Sequence, residues 1–476
     1  MAEIHDDVFF ATISELNAKL RAKQFSTVEL TRAFCDRLEK HGPTYNALAL
    51  SLRDSAIRKA KDVDGDMKRD RMRGPLQGIP FGVKDLLAVK KHPTTWGAKP
   101  FAGQVFDEDA LVVDKLDKLG AILIGKLAMV ELAGGGGYRY PSASLTGPGL
   151  NPWDRTRWTG GSSSGSGAAT AAGLVAFALG SETSGSILTP SAFCGVTGLR
   201  PSYGLVSRRG AMALSWTLDK IGPLCRSVED CALVLHAIAG ADIEDPGSAG
   251  KSFFYAPKFA RKPAEFTVGY APVDFDEWAD ESARPALKAA VEVFKGLGVK
   301  LKEVEIPDFP YGALTGTIIA AEAASIFEDI LRDGRADQMA DKRQVAGLKT
   351  GLEITAVDYL KAMRIRSLVQ EAFRQLYVDV DLLLSPSRLG PAPRVTERLD
   401  AGSGRTPPKA RGLSGLIAAG NLAGLPALSF PCGLADGMPV AISLVGRPFF
   451  EMQLIAMGMA FQAQTDWHRK RPPIGA

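Results

Sequence analysis

Histidine is scarce in this chain. Five occur in 476 residues, His5, His41, His92, His236 and His468. None falls in an HExxH pattern or another ligand spacing, so the commonest metal ligand and the commonest general base are missing from every motif. Cysteine is equally sparse: Cys35, Cys194, Cys225, Cys231 and Cys432 form an odd set without a CxxC pair. That excludes a complete disulfide framework and points to a reducing compartment. Charge of one sign is also lacking, with 57 basic against 53 acidic residues and a formal net charge of +4. The densest basic runs, residues 68–73 and 468–471, are interrupted or terminal and read as solvated surface. Without a clustered basic stripe, no nucleic-acid partner is expected. Long apolar runs are absent too. Residues 167–180 are too few to span a bilayer, and 413–430 contain Asn421 and Pro426, so no membrane partner is expected. The acidic start Met1-Ala2-Glu3-Ile4-His5-Asp6-Asp7 has no apolar signal core. These absences together predict a cytoplasmic protein.

What is present can build a large core, with 46% hydrophobic residues. Residues 1–75 read as helical. Ser26-Thr27-Val28-Glu29 is a capping box, and Leu30, Phe34 and Leu38 follow at helical spacing. Beyond Gly74-Pro75, short apolar runs alternate with helical periods. Strands are predicted at 79–83, 121–124, 174–178, 266–270, 300–305, 381–384, 428–430 and 440–445. Helices are predicted at 107–119, 227–238, 285–297 and 451–463. The alternation predicts an α/β fold, a large mixed β-sheet with helices on both faces. A single domain over 1–476 is expected, with a helical lobe over the sheet at 307–378. Residues 242–265 and 386–411 are rich in Pro and Gly and read as long loops.

Chemistry concentrates in two clusters of small residues, Thr159-Gly160-Gly161-Ser162-Ser163-Ser164-Gly165-Ser166-Gly167 and Gly180-Ser181-Glu182-Thr183-Ser184-Gly185-Ser186-Ile187. Flexible linkers would not flank the apolar stretch 168–179. A phosphate loop needs GxxxxGK[ST], and no lysine follows either cluster in register. A serine nucleophile remains, and serine needs a base. With histidine unavailable, a lysine can serve if burial lowers its pKa by about 3 units, equivalent to about 4 kcal/mol. Lys84 ends the apolar run Gly78-Ile79-Pro80-Phe81-Gly82-Val83 and is the candidate. Ser248-Ala249-Gly250-Lys251 and Lys349-Thr350-Gly351 match the SxxK and KTG patterns of the penicillin-recognising fold. The first lies in a loop and no SDN stands between them, so that reading is set aside.

Gly82-Val83-Lys84-Asp85, Gly160-Gly161-Ser162-Ser163 and Gly185-Ser186-Ile187 resemble the amidase signature family. The resemblance continues through Ala192-Phe193-Cys194-Gly195, Gly198-Leu199-Arg200-Pro201, Tyr203-Gly204, Asp219, Gly222-Pro223 and Asn421-Leu422-Ala423-Gly424-Leu425-Pro426. It implies a Ser–cis-Ser–Lys triad. Ser186 is then the nucleophile, Ser162 the bridging serine after a cis bond from Gly161, and Lys84 the base. Backbone N–H groups of Thr183, Ser184, Gly185 and Ser186 are the implied oxyanion hole. Ser163, bonded to the lysine, and Asp219 are implied supports. Residues 134–140 are expected to line the acyl pocket by analogy, with Met129, Gly135, Gly136 and Tyr138 as candidate contacts; the plain reading of Met129 is a core methionine. No cofactor and no metal are implied.

Two departures stand out. Ser184 replaces a family glycine and is tolerated if its φ is negative. Leu188 replaces an arginine beside the nucleophile, which removes a charge that could face Asp219. The main functional expectation is a stand-alone amidase that opens a small-molecule carboxamide through an acyl-enzyme, with a homodimer allowed. The charge-poor candidates Met129, 134–137, Tyr138, Trp216, Leu416 and Ile417 favour an apolar or aryl amide. One alternative is the glutamine-hydrolysing A-type subunit of a tRNA-dependent amidotransferase, which Tyr203-Gly204-Leu205-Val206-Ser207-Arg208 resembles. Against it, the acidic segment expected after Ser385-Pro386 is replaced by residues 388–411. Another alternative is a non-catalytic subunit that keeps the fold.

Overall fold

The computed structural model describes residues 4–399 and 412–474. Among them, eleven strands form one mixed sheet. Across the sheet the order is Leu48–Ser51, Ile122–Leu127, Pro80–Lys84, Phe177–Glu182, Lys220–Cys225, Thr197–Arg200, Ala427–Ala435, Met438–Gly446, Leu382–Pro386, Thr267–Tyr270 and Lys300–Glu303. Helices cover both faces. The three strands from Ile122–Leu127 to Phe177–Glu182 run parallel, as do the last three. The strands between are antiparallel. The central strands are buried at nearly every position, so they carry no polar–apolar alternation and read as continuous runs.

The N-terminal region holds the helices Ile13–Arg21, Thr27–His41 and Arg53–Lys68. The Ser26 hydroxyl accepts from Glu29 N–H, and the Glu29 carboxylate accepts from Ser26 N–H at 2.9 Å, completing the capping box. This region is not wholly helical, because Leu48–Ser51 joins the sheet edge. Residues 307–378 form helices Tyr311–Ile326, Glu328–Arg332, Lys342–Gly351 and Ala356–Asp379. The predicted strand at 174–178 lies further along, at Phe177–Glu182. Its second half is Gly180-Ser181-Glu182, polar residues that are buried and mimic a loop in composition. Strands Thr197–Arg200 and Lys220–Cys225 escape prediction for the same reason: each has a buried charged residue at one end. The loop at 242–265 holds only two short helical turns. Part of the loop at 386–411, residues 400–411, lies outside the described residues. Among the described residues, no helix is long and apolar enough to cross a membrane. The five cysteines are buried and unpaired.

Candidate active site

Strands Pro80–Lys84 and Phe177–Glu182 are parallel neighbours, with Val83 opposite Leu179. Their C-terminal ends therefore lie at one edge of the sheet, where α/β proteins place ligands. Lys84 ends the first strand, fully buried. Its Nζ donates to Ser162 Oγ at 2.7 Å and to Ser181 Oγ at 2.9 Å. The second buried lysine nearby is held differently: Lys126 Nζ pairs with Asp85 Oδ1 at 2.8 Å. Among the described residues no carboxylate contacts Lys84. Burial pulls its pKa down to about 7, against the upward pull of the more distant Asp219 and Glu182 charges.

Ser162 follows a cis peptide bond from Gly161 and precedes the helix Ser164–Ala171, every residue of which is small and buried. Ser163 does not reach Lys84. Its hydroxyl donates to Ser181 O at 3.1 Å and accepts from Ser181 N–H at 3.3 Å, so it braces the strand while Ser181 takes the lysine. The sequence motifs alone do not single out Ser181. Its alternation with Gly180 and Glu182 on a strand is the signal that could find it.

Ser186 sits in the turn after the second strand, and its hydroxyl makes no hydrogen bond among the described residues. Before reaction, such contacts are often not yet closed. The turn is stapled from below by Glu182, whose Oε2 accepts from Ile187 N–H at 2.9 Å and Leu188 N–H at 3.0 Å. Its Oε1 pairs with Arg200 at 2.8 Å and accepts from Asn421 Nδ2 at 2.9 Å. Burial would raise the Glu182 pKa. Arg200, Lys220 and these hydrogen bonds more than offset it and bring it to about 2. The preceding N–H groups, of Ser184, Gly185 and Ser186, are used by no acceptor among the described residues. Gly185 has φ +91°, a conformation that disfavours a side chain, while Ser184 keeps a negative φ. Thr183 is held by its side chain, which donates to Asp219 Oδ1 at 2.5 Å. The other Asp219 oxygen accepts from Leu214 N–H at 2.8 Å and Ser215 N–H at 2.9 Å. Asp219 thus has partners without the family arginine that Leu188 replaces.

A cavity of about 640 Å³ opens beside this turn, lined by Gly161, Ser184, Leu188, Tyr138 and Ile417 among others. The Tyr138 ring packs edge-on to Trp158 at 6.0 Å. The other candidate contacts pack elsewhere. Met129 is fully buried in the core, its carbonyl accepting from Ser144 Oγ at 2.7 Å. Gly135 abuts Leu214 and Ala323. A Cβ on Gly136 would lie 2.0 Å from Gln344 O in the helix Lys342–Gly351. These glycines let the helical lobe pack closely; they do not line the cavity. Trp216 lies on a second cavity with Met212 and Asp219. The expected charge-poor pocket is also corrected, because Arg200, Asp280 and Arg388 line the first cavity. Among the described residues, no group of three or more His, Cys, Asp or Glu side chains is placed to hold a metal ion.

A mixed sheet of this topology with a hydroxyl-held lysine beside a serine-rich turn is the build of an amide-hydrolysing enzyme class. The chain belongs to the amidase family, whose model matches residues 29–455. It is similar to the A-type subunit of the glutamyl-tRNA(Gln) amidotransferase of Carboxydothermus hydrogenoformans, 35% identical over 98% of this chain and 100% of the relative. A solved structure described as an unexpected vestigial protein complex, which reveals the evolutionary origins of an s-triazine catabolic enzyme, superposes at a TM-score of 0.86. It is 30% identical and covers 95% of this chain and 98% of its own. The peptide amidase of Stenotrophomonas maltophilia superposes at 0.85, with 28% identity over 98% and 99% of the two chains. These findings overturn the expected partner set, a small-molecule amide alone with nucleic acid excluded and a homodimer allowed. The chain-long likeness is to one subunit of a tRNA-dependent enzyme. Balanced charge on a single subunit is a poor guide to partners, because another subunit can carry the cationic surface that meets RNA.

Proposed function

We propose that this chain is the amide-hydrolysing A-type subunit of a tRNA-dependent amidotransferase, with glutamine as the amide it opens. The chemistry rests on one observation: a buried lysine with a pKa near neutrality, held by hydroxyls and 2.7 Å from Ser162. The subunit role rests on full-length likeness to the A-type chain of a glutamyl-tRNA(Gln) amidotransferase.

In the proposed cycle, neutral Lys84 takes the Ser162 proton as Ser162 takes that of Ser186. Ser186 Oγ attacks the carboxamide carbon. The unused N–H groups of Ser184, Gly185 and Ser186 receive the oxyanion, each donor contributing about 3–4 kcal/mol to the transition state. The proton returns through Ser162 to the leaving nitrogen and ammonia departs. Water then opens the acyl-enzyme by the reverse relay, giving glutamate.

The test measures ammonia released from glutamine by the purified chain, alone and with the other subunits of such an amidotransferase and glutamyl-tRNA(Gln). The proposal expects the complex to accelerate glutamine hydrolysis and to form the amidated tRNA. Hydrolysis of unrelated amides, with no response of glutamine turnover to subunits or tRNA, would overturn the subunit role.

A further inference from the structure

The cavity beside Ser184 and Gly161 holds an unbalanced cation. Of its charged lining residues, Arg200 is neutralised by Glu182 at 2.8 Å. Asp280 is engaged by partners of its own. Arg388 is different: no carboxylate pairs with it among the described residues. Its neighbours are the Phe193 ring, 5.7 Å below the guanidinium, and the Tyr138 phenol. The side chain is exposed to the cavity while protein surrounds it, and this crowding lowers its pKa from the ordinary value.

The segment carrying Arg388 is fixed. Ser387 N–H donates to Ala441 O at 2.9 Å. Ser387 Oγ bonds the Ser429 and Ser443 hydroxyls at 2.8 and 2.7 Å. On the far side, Leu389 O accepts from Asp280 N–H at 2.7 Å. A guanidinium held this way over an aromatic face presents a planar fork of donors that fits a carboxylate. One wall of the cavity thus adjoins the nucleophile turn and another carries an unpaired cation.

We propose that Arg388 is a specificity-determining residue that holds a carboxylate on the substrate, so that this site selects amides bearing a carboxylate at the far end. The proposal rests on the reading that Ser186 opens an amide here. It adds the group that orients the substrate: the amide faces Ser184 and Gly185 while the carboxylate faces Arg388.

The experiment compares glutaramate (the monoamide of glutaric acid) with neutral butyramide, in hydrolysis and in protection of Ser186 from a fluorophosphonate. The wild type should prefer glutaramate. Arg388→Gln should raise KM for glutaramate by about 10- to 100-fold, the range for losing one charge-assisted pair, and move butyramide by less than about threefold. Arg388→Lys should recover part of the loss. Unchanged fluorophosphonate labelling of Arg388→Gln without glutaramate would show that the fold and Ser186 are intact. Absence of a glutaramate preference in the wild type, or equal losses for both amides in Arg388→Gln, overturns the proposal. Failure of Ser186 to label at all overturns the underlying catalytic reading instead.

Discussion

Lys84 Nζ and Ser162 Oγ lie 2.7 Å apart in a region where the lysine is fully buried and, among the described residues, touches no carboxylate. Lys126, also buried, has Asp85 at 2.8 Å. A buried ammonium paired with a carboxylate has its charge compensated in place. One that meets only hydroxyls is more easily neutralised, and only the neutral form can accept a proton.

The pH profile follows from this. With Lys84 titrating at about 7, kcat/KM should rise tenfold per pH unit below that value and level off above it. A profile flat from acid to alkaline pH would remove Lys84 as the base. Stability carries the same signature. Between about 7 and the ordinary 10.5, the unfolded chain holds a proton that the folded chain does not. Raising pH through that window should therefore stabilise the fold, and Lys84→Met should abolish that part of the slope in urea titrations.

Ser181 gives Lys84 its second acceptor. Removing it costs the charged lysine more than the neutral one, because charge-assisted hydrogen bonds are the stronger. Ser181→Ala should move the ascending limb of kcat/KM to lower pH by about one unit, corresponding to about 1.4 kcal/mol. An unmoved midpoint would show that Ser162 alone sets the lysine.

Glu182 ties the nucleophile turn to Arg200 and Asn421. Glu182→Ala leaves the fully buried Arg200 unpaired and should cost about 3–5 kcal/mol of stability by denaturant titration. Glu182→Gln keeps an acceptor for the Ile187 and Leu188 N–H groups. It should lose less stability and retain more kcat. Equal behaviour of the two variants would show that the charge, not the acceptor, shapes the turn.

Gly136 tests whether the glycine-rich segment packs the helical lobe or lines the substrate pocket. Gly136→Ala places a Cβ against Gln344 O and adds a side chain at φ +88°. The melting temperature should fall by several degrees, with the pH midpoint and KM of the remaining folded enzyme unchanged. A selective change in KM would return Gly136 to the substrate pocket.

The sheet is legible in the sequence where strands are apolar, as in Pro80–Lys84 and Met438–Gly446, and hidden where buried charge sits inside them. Arg200 and Lys220 end strands that composition marks as loops. The same disguise covers Glu182, which looks like one polar residue among serines and glycines. Its partner Asn421 is 239 positions away, a distance no local pattern bridges. Lys84 stands out because an apolar run leads into it. Ser181 does not, because its role depends on pairing between strands. The charged cavity is hidden because Arg388 stands at the start of a proline-rich loop, where an arginine reads as surface.

Covalent trapping of the nucleophile tests the catalytic assignment most directly. The chain is treated with a fluorophosphonate, the labelled peptide is mapped by mass spectrometry, and Ser186→Ala is assayed in parallel. A Ser186 nucleophile driven by Lys84 predicts a single adduct on Ser186, labelling that depends on Lys84 and Ser162, and loss of amide hydrolysis in Ser186→Ala. An adduct on another serine, or undiminished hydrolysis by Ser186→Ala, would contradict it.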